Sequence, residues 1–105
     1  MEYEVLISQT AHEQICQCIA FVNNVSHEAA LSLYETIMKE IKSLSNMPGR
    51  CPKVNFIKIP FFEYHKLLID DGRYAAIFRI ESKKVFLNYF VDLRKQGLED
   101  ILWKC

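Results

Sequence analysis

The sequence carries no net charge: thirteen Lys and Arg balance thirteen Asp and Glu. A polyanion therefore meets no global basic field, and any nucleic-acid contact has to come from local segregation of charge. No apolar run approaches the roughly 18 residues that a membrane-spanning helix needs. No basic segment followed by an apolar run opens the chain, so no secretory signal is visible. Internal repeats and low-complexity tracts are missing. So are a phosphate-binding loop and a serine elbow. No set of His, Cys or carboxylates has metal-ligand spacing, and no cofactor is implied.

Cysteine is sparse as well, at four residues: Cys16, Cys18, Cys51 and Cys105. Cys16 and Cys18 stand two apart on an expected helix and point in different directions, so they are poorly placed to pair or to share a metal. The pattern is that of reduced thiols in a cytoplasmic protein. The rest is ordinary globular composition, half hydrophobic and a quarter charged. At 105 residues the chain reads as one domain, 1–105, large enough for one modest core without staples.

The element pattern is α+β. Tyr3, Val5 and Ile7 alternate with Glu4 and Leu6, which predicts a short first strand with one apolar face. Thr10, with Glu13 three residues on, has the form of a capping box opening a helix over 11–23. Its apolar face is Ala11, Ile15, Cys18, Ile19 and Val22. Ser26 caps a second helix over 27–45 with the stripe Ala30, Leu33, Tyr34, Ile37, Ile41 and Leu44. So short a connection makes the pair an antiparallel hairpin. A Pro-containing loop follows over 50–62, with room for a short strand at 55–59, and the tail 97–103 has the composition of a terminal helix. Between them three apolar runs, 63–69, 74–80 and 85–91, are separated by Asp70-Asp71-Gly72 and Glu81-Ser82-Lys83-Lys84. That is a three-stranded antiparallel meander.

Charge is segregated along this order. Acidic residues dominate the first 45 positions, and residues 50–95 hold most of the cations. On the middle strand of the meander, Tyr74, Ala76, Phe78 and Ile80 share one face and are assigned to the core. Arg73, Ala75, Ile77 and Arg79 share the other, which places two guanidiniums on an open face. Lys66 and Arg94 lie on the flanking strands. The plain alternatives are ion pairs: Arg79 with Glu81 or Asp92, and Arg73 with the carboxylates of the Asp70-Asp71-Gly72 turn. His12 and His27 sit in first helical turns and read as surface residues. Phe61, Phe62 and Trp103 fall outside the clear stripes and form either the edge of the core or a patch that a partner covers.

Three segments together resemble a known family: YEVLIS at the start, SHEAALSLYETIMKEIKSLSNMPGRCP across the second helix and its proline-bearing exit, and YHKLLIDDGRYAAIFRIESKKVFLNYFVDLRK across the meander. In order and spacing the chain is similar to the RelE/ParE-type toxins of bacterial type II toxin–antitoxin (plasmid stabilisation) systems. The resemblance implies a strand, a helical hairpin and an antiparallel sheet, a cognate antitoxin that wraps the toxin in a hetero-oligomer, and growth inhibition in the cytoplasm. It implies one of two targets: DNA gyrase for ParE-like members, or mRNA on the ribosome for RelE-like endonucleases.

The residues bear on that choice. RNA cleavage to a cyclic phosphate needs a base, an acid and cations for the phosphorane charge. Where the nuclease members carry an arginine after the first aromatic of the middle strand, this chain has Ala75 after Tyr74. Arg73 lies on the same face, about 7 Å away at strand rise. Lys66 and Arg94 match the family's other basic positions, and His65 is the one histidine in the sheet. The tail 95–105 supplies no histidine or tyrosine. The expected contact residues for target or antitoxin are therefore Lys66, Arg73, Arg79 and Arg94, with His65 and Tyr74. A nuclease would use Lys66, Arg73 and Arg94. The departures favour the ParE-like reading. A non-toxic binding module with the same fold is the other alternative.

Overall fold

The computed structural model describes residues 2–54 and 63–94. In order, its elements are β1 (Glu4–Ile7), α1 (Gln9–Asn23), α2 (His27–Lys42), β2 (His65–Ile69), β3 (Tyr74–Glu81) and β4 (Lys84–Asp92), with two short 3-10 turns, Ser43–Ser45 and Pro48–Arg50, after α2. The strand expected at 55–59, the helix expected at 97–103, and Phe61, Phe62 and Trp103 lie outside the described residues. The last three strands form the expected antiparallel meander, and β1 adds to it in parallel beside β4, giving the order β1-β4-β3-β2. No described helix is long and apolar enough to cross a membrane.

The helical hairpin covers one face of this sheet. Ala11 and Ile15 of α1, and Leu33, Ile37 and Ile41 of α2, bury against Ile69, Tyr74, Ala76, Phe78, Val85, Leu87 and Phe90. Cys18, Ile19 and Val22 pack at the margin of that core. Tyr34 belongs to no part of it: it is half-exposed, so the stripe on α2 is narrower than its spacing predicts.

The start of α1 differs from the capping box. Ser8, not Thr10, is the N-cap: its Oγ accepts the Ala11 N–H at 3.0 Å, and the helix begins at Gln9. The same hydroxyl donates to the Asn88 carbonyl of β4 at 3.0 Å. A cap that also holds a neighbouring strand prevails over one that serves the helix alone. α2 follows expectation at its start, with Ser26 Oγ accepting the Ala29 N–H at 3.1 Å, but ends at Lys42, and 43–45 tighten into a 3-10 turn.

β4 carries the one irregularity of the ladder. Ile77 stands opposite Tyr89 while Phe78 stands opposite Leu87, so Asn88 is an extra residue, a β-bulge. The bulge reverses the phase of the strand. Val85 and Leu87 face the helices before it, and Phe90 faces them after it, while Tyr89 and Val91 turn to the other side. Where β1 ends, α1 takes over the edge of β4: the Phe90 N–H donates to Gln14 Oε1 at 2.7 Å. The Asn88 side-chain oxygen is buried with no partner among the described residues.

The second face of the sheet is not open along its middle, as the alternation alone suggested. Ala75, Ile77 and Val91 are fully buried there beneath Val54 and Tyr64, with Tyr89 and Leu93 at the margin. The reason is that residues 52–54 return along the outer edge of β2. Val54 N–H donates to the Tyr64 carbonyl at 2.8 Å, and Lys66 N–H to the Pro52 carbonyl at 3.0 Å. β3 is thereby sandwiched on both faces.

Because Ser8 joins α1 to the bulge, Ser8→Ala should lower stability by about 1–2 kcal/mol in urea denaturation, whereas Thr10→Ala, on an exposed position, should leave the midpoint nearly unchanged. Equal losses would assign the cap to Thr10 after all.

Candidate functional site

The sheet distributes the expected cations between its two ends and does not gather them. Arg73 and Arg79 bracket β3, about 20 Å apart at strand rise. Arg79 Nη1 pairs with Glu81 Oε2 at 2.9 Å, and its guanidinium lies 4.4 Å from the centre of the Phe86 ring. That pairing is one of the two plain alternatives weighed from sequence, and the cation–π contact adds to it. Lys66 lies across from Ile77, which lies across from Tyr89, so the three share the second face. Among the described residues no carboxylate pairs with the Lys66 ammonium.

Arg73 and Arg94 come together at the other end. The Leu93 N–H donates to the Arg73 carbonyl at 2.9 Å, holding the two segments side by side. Arg73 Nη1 lies 3.9 Å from Asp70 Oδ2 across the β2–β3 turn. In that turn Asp70, Asp71 and Gly72 all have positive φ, which Asp tolerates and Gly takes freely. Asp92 Oδ1 accepts the Arg94 backbone N–H at 3.0 Å and sits 3.6 Å from its Nε. Both arginines keep about half of their side chains exposed, so these pairs leave them able to engage an external anion.

His65 and Tyr74 face inward. His65 stands opposite Phe78, stacks on its ring at 5.4 Å and is buried. With its proton on Nδ1, the imidazole donates to the Cys51 carbonyl at 2.9 Å. Tyr74 is buried and stacks on Phe90 at 5.4 Å. Burial pushes its phenol above the ordinary tyrosine range, helped by the nearby Cys18 and Asp92, and a hydrogen bond and charge from Arg73 oppose the shift. Burial likewise raises the Cys51 thiol, against the charge of Arg50.

Two concavities flank α1. One, of about 400 Å³, lies between α1 and the ends of β3 and β4, lined by Gln14, Gln17, Phe21, Tyr74, Phe90 and Asp92 among others. The other, of about 470 Å³, is an apolar groove between α1 and α2 with Ile15, Ile19, Leu31, Tyr34 and Met38 in its walls. Sequence reasoning named only Tyr74 as a contact residue in the first and none in the second. The signal was present: Gln14, Gln17 and Phe21 recur at i, i+3 and i+7 on a face of α1 separate from its apolar stripe.

The two raised groups act on stability in one direction. Between the unfolded and folded ionisation ranges the folded chain holds more protons, so stability falls as pH rises. It should be full below about pH 8.5, decline first through Cys51, and decline further above about pH 10 through Tyr74. Urea midpoints across that range should show the decline, and Cys51→Ala should flatten its first part.

The comparisons rest on shape. No protein-family profile matches the sequence, and no curated protein matches it. Among solved structures, a chain from the "Chromosomal ParDE TA system from P. aeruginosa" superposes with a TM-score of 0.70 at 15% identity, covering 87% of this chain and 96% of that one. The three resembling segments, the element order and this superposition meet on one architecture: the chain has the RelE/ParE-type toxin fold.

Proposed function

We propose that the chain is the toxin of a type II toxin–antitoxin pair, acting in the bacterial cytoplasm as a ParE-like inhibitor of DNA gyrase by binding rather than by cutting RNA. The observation that carries the choice of target is the burial of His65. The one histidine of the sheet is committed to Phe78 and the Cys51 carbonyl. The described part of the second face then offers ammonium, guanidinium and phenol groups but no imidazole to exchange a proton near neutral pH. Cations that bind without a matching base fit a protein-contact surface.

Arg73 and Arg94, side by side and half-exposed, are the proposed target contacts, with Lys66 on the second face. Arg79, already held by Glu81 and Phe86, supports the strand end more than it reaches outward. The apolar groove between α1 and α2 is the surface that a cognate antitoxin would cover, since half-exposed Leu31 and Tyr34 there gain most from leaving water.

Pulse labelling after tightly controlled induction tests the reading. DNA synthesis should stop first while protein synthesis continues, and Arg73→Ala with Arg94→Ala should relieve the growth arrest at equal protein level. Protein synthesis stopping first would instead place the chain with the ribosome-dependent nucleases. Unhindered growth would leave a binding module with this fold.

A further inference from the structure

One pair of metal-ligating side chains takes no part in the core or in the proposed target contacts. His12 and Cys16 stand one turn apart on α1, at the i, i+4 spacing that sets two side chains side by side on one helix face. Both are exposed, and neither belongs to a buried cluster. His12 Nε2 lies 3.7 Å from Cys16 Sγ. A tetrahedral zinc ion holds a nitrogen at about 2.0–2.1 Å and a sulfur at about 2.3 Å, which sets those two atoms about 3.6 Å apart. The pair therefore already has the bite of a zinc chelate. Its backbone is fixed, since Ser8 caps α1 and Gln14 ties the helix to β4. The same two residues stand in the wall of the apolar groove between α1 and α2, with half-exposed Leu31 and Tyr34 in the same groove.

We propose that His12 and Cys16 are half of a zinc site that a second copy of this chain completes. Among the described residues no group of three or more His, Cys, Asp or Glu could hold a metal, so one chain offers this ion two ligands only. That is why ligand spacing, read within one chain, passes over the pair. A structural zinc takes four ligands. A two-fold axis through the ion presents the same pair from the other copy and yields a Cys2His2 set. Each sulfur binds as thiolate, giving up its proton, and each imidazole binds through Nε2 as a neutral ring. Because the ligands stand in the groove wall, pairing through them turns the groove of one copy toward that of the other, and Leu31 and Tyr34 leave water. The ion fixes how the two faces meet, which an apolar groove alone does not. The dimer occupies the surface that the antitoxin reading uses, so it is a state of the chain without that partner. The site itself rests on His12 and Cys16 and stands whether or not that reading holds.

Sedimentation velocity of the purified full-length chain, kept in a non-thiol reductant, tests it with zinc, magnesium or a chelator added. Zinc should convert monomer to dimer, magnesium should not, and the chelator should reverse the change. Cobalt in place of zinc should give thiolate charge-transfer and tetrahedral absorption bands that saturate at one ion per two chains. His12→Ala and Cys16→Ser, on exposed positions of α1, should keep the parent circular dichroism and stay monomeric with zinc. Cys105→Ser, which removes a thiol outside the pair, should dimerise like the parent chain. The proposal is overturned if the mass does not depend on zinc, if the cobalt bands saturate at one ion per chain, or if Cys16→Ser still dimerises with zinc.

Discussion

The bulge at Asn88 is the constraint on which the rest of the sheet depends. One extra residue in β4 exchanges its inward and outward sets half-way along. Before it the strand delivers Val85 and Leu87 to the helical layer, and after it Phe90 and then Asp92, the residue opposite the inward Tyr74. A regular strand would have carried Tyr89 and Val91 inward instead. Val91 could then no longer join Ala75, Ile77, Val54 and Tyr64 in the second core, and Asp92 would leave the cavity wall.

The bulge is held by contacts from far away in sequence. Ser8 caps α1 and bonds the bulged carbonyl with one hydroxyl, and two turns on, Gln14 satisfies the next free amide of the strand. β1 and α1 together therefore act as one edge for β4, first as backbone and then as side chains. The arrangement meets the rule that a buried strand edge must find partners for its amides. It also fixes where α1 crosses the sheet, and with it the position of both concavities beside that helix.

Much of this was legible in the chain. Period-2 alternation gave β2, β3 and β4 and the inward set of β3, and the Asp70-Asp71-Gly72 break gave the turn between β2 and β3. The helices and the Ser26 cap followed from spacing. What escaped was non-local. No periodicity announces a phase slip at Asn88, because Leu87, Tyr89, Phe90 and Val91 are all apolar enough for either face. Ser8 looked like the end of a strand because its second partner lies 80 residues away. The second face looked open because the return of residues 52–54 along β2 is a tertiary event. For the site the same limit applied: residue type singled out Lys66, Arg73 and Arg94, of which Arg73 and Arg94 are exposed and Lys66 is half-buried, but could not show His65 turning inward or Arg79 satisfied by its own strand.

The parallel pairing of β1 with β4 has a consequence in time. Glu4 lies opposite Lys84, so the first strand finds its place only when the last has formed. Closing so long a loop is among the slower steps available to a small domain, and it must come after the local meander and hairpin. On a ribosome making the chain from its N-terminus, β1 emerges early and waits, unpaired, until β4 has left the exit tunnel. The sheet, and the margin of the helical core where Val5 packs, are thus completed late, by a strand of four residues made before the other three.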